Sequence, residues 1–143
     1  MATPLTEDQE MLRDSVVRFL AREYDFSQRR RILDQGGFCP ATWEKFAELG
    51  WLGACLTQQA GGYGGPAETA ILMQELGRAL VLEPFIATAV VGGQLLGALA
   101  DDRREPLIEQ MISGGLQLAL ATAEHHSRFD LAAIATTAAP RGA

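Results

Sequence analysis

Glycine and proline cut the first 115 residues of this chain into segments whose apolar residues return at helical spacing, and no other feature constrains the fold as much. The first segment opens with Thr6, followed three residues later by Gln9. This is the spacing of a capping box, and Glu7 and Asp8 stand where the helix dipole favours acids. Leu12, Val16, Phe19 and Leu20 then share one face, while Arg13, Asp14, Arg18 and Arg22 take the other positions. The pattern predicts an amphipathic helix from Thr6 to Tyr24. A shorter helix is expected around Gln28 to Gln35, ended by Gly36-Gly37. Pro40 and Thr42 open the next, with Trp43, Phe46 and Ala47 on one face and Gly50 as its stop. Trp43 and Phe46 are expected to pack on Val16 and Phe19 of the opening helix.

Trp51-Leu52-Gly53-Ala54 leads into a loop from Gln58 to Gly65, and Pro66 begins a further helix. Its apolar stripe carries Leu72, Leu76, Ala79 and Leu80, leaving Glu68, Glu75 and Arg78 on the polar side. The Glu83-Pro84 junction breaks that run, because proline disfavours helical geometry at the residue before it. From Pro84 to Ala100 the chain is uncharged and apolar on nearly every side. This stretch is short for a membrane span and includes Thr88, Gln94 and several glycines, so a central helix covered by neighbours is expected. Asp102 with Glu105 repeats the capping-box spacing ahead of a last helix carrying Leu107, Ile108, Met111 and Ile112, which Gly114-Gly115 closes.

After Gly115 the period changes to two: Leu116, Leu118 and Leu120 alternate with Gln117 and Ala119, and Leu131 to Ala138 is a second candidate strand. One or two strands cannot form a stable sheet alone. The architecture expected is mainly α: an up-and-down helical bundle over residues 1–115, then the opening strand or strands of an incomplete β domain over 116–143.

Hydrophobic residues at 48% and charged residues at 21% are a globular composition. Eighteen acidic against 12 basic side chains give a net charge of -6, which argues against a nucleic-acid partner. Arg29, Arg30 and Arg31 form a short basic run, read as a solvated helix face in preference to a phosphate contact. Cys39 and Cys55 lack metal or redox spacing and are expected to be reduced. The N-terminus has neither a basic nor an apolar signal region, so a cytoplasmic protein with no membrane span is expected. Gly61-Gly62-Tyr63-Gly64-Gly65 lacks the ending of a phosphate-binding loop and reads better as an inter-helix loop. His125 and His126 have no third ligand, and a surface turn is favoured over a metal site. Glu83 reads as a cap or an ion-pair partner rather than a general base. No catalytic residue and no metal ligand is assigned.

The order of these pieces resembles the N-terminal region of the acyl-CoA dehydrogenase family. Thr6-Glu7-Asp8-Gln9 with Val16, Val17 and Phe19 is similar to that family's opening helix. Leu49-Gly50-Trp51-Leu52-Gly53 resembles its Leu-Gly-Trp-Leu-Gly segment, and Gly61-Gly62-Tyr63-Gly64-Gly65 its Tyr-Gly-Gly loop. Gln74-Glu75-Leu76-Gly77-Arg78-Ala79 is like the helix that follows, and Asp101 to Gly115 like the charged stretch before the first barrel strand.

The resemblance implies a helical N-terminal domain, a middle β-barrel and a C-terminal bundle, in a flavoprotein of fatty-acid metabolism. FAD and an acyl-CoA thioester would lie between the domains, with α,β-dehydrogenation as the reaction. Phe85, Thr88, Ala89 and Gly92 are the candidates for the acyl-binding wall, plain core packing being the equal alternative for each. The family's flavin-contacting strand falls on Leu120 to His125, with Thr122, Ala123 and Glu124 as the candidate cofactor contacts. With Glu124 and Asp130 as the matched acids, Ala123 replaces the family's threonine and Phe129 its serine. Two hydroxyl donors towards flavin or substrate are thereby absent. A homo- or hetero-oligomer that acts on acyl-CoA is implied for the complete enzyme, and the chain alone is expected to be inactive. The alternative is a non-catalytic helical interaction module or subunit that binds a partner protein.

Overall fold

Thr6 starts the first helix by a reciprocal exchange: its Oγ1 accepts from the Gln9 N–H at 3.3 Å, and Gln9 Oε1 accepts from the Thr6 N–H at 3.1 Å. The computed structural model describes residues 4–99, 102–125 and 130–139. In it α1 runs over Glu7–Glu23, with Val16 and Leu20 buried, as its spacing predicts. The second helix, α2, spans Phe26–Asp34 and begins earlier than expected, because Asp25 Oδ1 caps it by accepting from the Gln28 N–H at 2.7 Å. Pro40 occupies the first turn of α3, Pro40–Glu48. Gly50, at φ +77, turns the chain through the left-handed region straight into a single-turn helix, α4, Trp51–Ala54, in place of the expected simple lead into the loop. A 3₁₀ turn over Gln58–Ala60 precedes α5, Pro66–Arg78.

The core is aromatic at its centre. Phe46 is fully buried, and its ring lies 4.9 Å from Trp51, 6.0 Å from Phe19, 6.2 Å from Trp43 and 6.5 Å from Phe85. The expected packing of Trp43 and Phe46 against α1 is thus observed for Phe46, while Trp43 leans on Phe38 and donates its indole N–H to the Gly114 carbonyl at 3.1 Å. A second, smaller cluster gathers Leu56, Leu96, Ile108 and Met111, with Leu116 and Leu118 packed on it.

Several expectations are corrected. Glu75 is not on an exposed polar face: it is 4% exposed, and Arg78 Nη1 donates to both its oxygens, at 2.8 and 3.0 Å. Leu80 is not on the apolar stripe of α5, because the helix ends at Arg78; Leu80 takes φ +52 and lies exposed. The uncharged stretch is a π-helical turn over Ile86–Gly92 that runs into α6, Gly93–Ala98. It is covered on one side only, and Ile86, Leu95 and Leu99 are 54%, 45% and 50% exposed. The last helix, α7, spans Arg104–Ile112 with Arg103 as its N-cap, so Asp102 does not cap it and no capping box forms. Among the described residues there is no β-strand. Residues 116–120 and 131–138 have no ladder partner, and Leu118 instead gives its N–H and C=O to a side chain of the π-helical turn. No helix among the described residues is long and apolar enough to cross a membrane.

Candidate functional site

The four proposed wall residues lie on one side of the π-helical turn. Phe85, Thr88, Ala89 and Gly92 are all buried. Most of this face is filled by the chain itself. Thr88 Oγ1 accepts from the Leu118 N–H at 3.1 Å and donates to the Leu118 carbonyl at 3.3 Å. A Cβ at Gly92 would lie 2.6 Å from the Leu118 Cβ, so only glycine permits this approach. Phe85 also lines a cavity, of about 240 Å³, whose other walls include Met73, Leu76, Leu80, Val81 and Ile86.

Glu83 lines the same cavity and is 5% exposed. It is neither cap nor ion-pair partner in the structure. Its Oε2 accepts from the Tyr24 hydroxyl at 2.8 Å, while Oε1 is buried without a hydrogen-bond partner. The Tyr24 oxygen in turn accepts from the Leu82 N–H at 3.0 Å. Burial, and beside it the Glu83 carboxylate, push the Tyr24 phenol above its ordinary range. Arg29 Nε donates to the Leu80 carbonyl at 2.8 Å, so one of the three arginines is committed to the backbone, and Arg30 and Arg31 are exposed. This network joins residues almost sixty positions apart, and no local pattern in the sequence announces it.

Thr122 and Ala123 are exposed, and Glu124 is half-buried. The Glu124 carboxylate accepts from the Ala135 N–H at 2.8 Å and from the Thr136 N–H at 3.0 Å, and these bonds hold its pKa below the ordinary value. Ala123 has no side-chain donor, and both Glu124 oxygens face main-chain N–H groups. Of the three candidates, Thr122 presents the one side-chain hydroxyl, and it is exposed. His126, Arg128 and Phe129 lie outside the described residues, and His125 is exposed. Among the described residues no group of three His, Cys, Asp or Glu side chains could hold a metal.

The glycine loop is closed upon itself. The N–H groups of Gly62, Tyr63, Gly64 and Gly65 bond to the carbonyls of Thr57, Gly53, Leu56 and Ala54. A Cβ at Gly64 would lie 2.1 Å from the Ala54 carbonyl oxygen. Those donors are spent inside the fold, which rules out a phosphate cradle there and explains the glycines by close packing.

Residues 6–115 match the family model described as "Acyl-CoA dehydrogenase, N-terminal domain". The chain is 32% identical over 99 residues to the acyl-CoA dehydrogenase IpdE2 of Mycobacterium tuberculosis, covering 67% of this chain and 31% of that protein. It is 30% identical over 108 residues to the protein of the same name in Mycolicibacterium smegmatis, covering 73% of this chain and 34% of the relative. The chain spans about a third of the length of the curated relatives it matches.

Proposed function

The chain belongs to the acyl-CoA dehydrogenase family through that N-terminal domain, and from this premise we propose that it supplies helical walling for an acyl-CoA dehydrogenase and does not turn over acyl-CoA by itself. The family is generally FAD-dependent and acts on acyl-CoA. The observation that carries the reading is the largely apolar cavity of about 240 Å³ under Phe85 and Ile86, with Glu83 on its wall, at the start of the π-helical turn. Turns of this type are rare and frequently mark functional positions. Phe85 would face an acyl chain, while Thr88, Ala89 and Gly92 would hold the wall against the segment behind it. Gly115 is read as the end of the helical domain and residues 116–143 as the lead into a β domain. No reaction step is assigned to Thr122, Ala123 or Glu124.

The 143-residue chain, given medium-chain acyl-CoA, added FAD and an artificial acceptor, should reduce the acceptor no faster than a protein-free blank. The physical ground is that no base is assigned among the described residues, Glu83 of the cavity wall being bonded to the Tyr24 hydroxyl, and loss of general acid–base help alone costs about 10²–10⁴-fold in rate. Turnover by the pure chain would overturn the reading.

A second reading, a subunit or interaction module that binds a partner protein, is favoured by the exposed outer face of Ile86, Leu95 and Leu99. Sedimentation at micromolar concentration tests it. Self-association that Leu95→Glu abolishes is the expected result, and a monomer that binds no hydrophobic dye counts against it.

A further inference from the structure

Helices α1, α2 and α3 leave between them a cavity of about 420 Å³, on the side of the molecule where no role has been assigned. Phe19 lines its floor, Cys39 and Thr42 line it from the start of α3, and Glu23, Gln28 and Lys45 complete it. Cys39 is half-buried and stands as the N-cap of α3, yet its side chain makes no capping hydrogen bond. The thiol is therefore not committed to the backbone. Thr42, one turn on, is only 8% exposed, and its hydroxyl has no hydrogen-bond partner among the described residues. Thr42 is thus a nearly buried residue whose unbonded hydroxyl opens on the cavity, where a ligand can reach it. The charged residues have opposite signs: Glu23 from α1 and Lys45 from α3 are close enough that Glu23 helps to raise the Lys45 pKa, behind the stronger effect of its ion pair with Glu48.

We propose that Cys39 is a thiolation site, at which the cavity seats a small zwitterionic thiol of the amino-acid type as a mixed disulfide. The ligand's ammonium faces Glu23, its carboxylate faces Lys45, and Thr42 and Gln28 take the remaining polar contacts. The chemistry is thiol–disulfide exchange with a symmetrical low-molecular-weight disulfide. Cys39 Sγ attacks one sulfur, a new S–S bond forms, and the original S–S bond breaks. The departing thiolate takes up the proton that Cys39 gives away and leaves as one equivalent of free thiol. Cys39 is oxidised and half of the disulfide is reduced. The second cysteine is an internal control: Cys55 is fully buried, and burial pushes its thiol up to about 11.

The experiment compares three disulfides at pH 7: cystine, the dication cystamine and the dianion dithiodiglycolate. Adducts are located by mass spectrometry, and each rate is divided by the rate of the same reagent on the urea-unfolded chain. A single adduct is expected, at Cys39, with cystine favoured over each singly signed reagent by about two- to fivefold, the effect of one exposed ion pair. The net charge of -6 by itself would favour cystamine, so a preference for cystine has to come from the cavity. Glu23→Gln should erase the advantage over dithiodiglycolate, and Lys45→Gln the advantage over cystamine. Equal normalised rates for the three reagents, a preference that survives both substitutions, or equal labelling of Cys55 in the folded chain would each overturn the proposal.

Discussion

The helical bundle and the segment after Gly115 satisfy their backbones in different ways. In the bundle each helix bonds within itself, Thr6 and Asp25 cap the starts of α1 and α2, and aromatic rings fill the centre. Beyond Gly115, side chains stand in for missing main-chain partners. The Thr88 hydroxyl both accepts from and donates to Leu118, and the Glu124 carboxylate takes the N–H groups of Ala135 and Thr136. Around those two fixed points Leu120, Leu131 and Ile134 are exposed. The contrast teaches that an alternating pattern of leucines does not make a strand until another backbone pairs with it. Until then a few polar side chains fix where such a segment lies.

Three measurements can break or sharpen this contrast. The largest effect belongs to the bundle: Phe46→Ala removes a ring that meets four others and should destabilise the chain by about 3–5 kcal/mol in denaturant unfolding. A loss below about 1 kcal/mol would mean that the aromatic cluster is not the centre of stability. Next comes Thr88→Val, which keeps the shape and deletes both bonds to Leu118; about 1–2 kcal/mol is expected, with faster hydrogen exchange at the Leu118 amide. A cost equal to that of Phe46→Ala would erase the distinction between the regions. The smallest effect is the titration of Glu124. Its folded pKa is depressed by the two backbone bonds, so their contribution is complete above the ordinary carboxylate value and is lost as pH falls through the lower, folded midpoint. The amide resonances of Ala135 and Thr136 should follow that midpoint, and a midpoint at the unperturbed value would remove Glu124 as a tether.

What was legible in the sequence is what depends on near neighbours. The Thr6–Gln9 box, the stripe of Leu12, Val16, Phe19 and Leu20, and the proline starts of α3 and α5 are local, and all appear as their spacing implies. Glu75 is buried in the fold with its charge met by Arg78 one turn on, and neither its residue type nor its place beside Arg78 reveals that burial. The single turn of α4 is shorter than any periodic signal, and Gly50 before it reads equally well as a stop. The Tyr24–Glu83 bond spans fifty-nine positions and has no local trace at all. Among the wall candidates, the small residues could be named because an apolar helix needs close neighbours. Leu118 as the neighbour that fills the face of Gly92 could not be.

The π-helical turn over Ile86–Gly92 has a consequence for length rather than for composition. In a regular helix each residue advances the chain by about 100° around the axis, so the wider turn sets the angular phase of everything after it. Deleting one residue there would rotate α6 by roughly that amount and would carry Gly93 out of its contact with Leu56 and Met111 while bringing a bulkier residue in. The outward positions Ile86 and Leu95 can therefore change in kind, whereas the number of residues between Pro84 and Gly93 cannot change without putting the inner and outer faces of the element out of register.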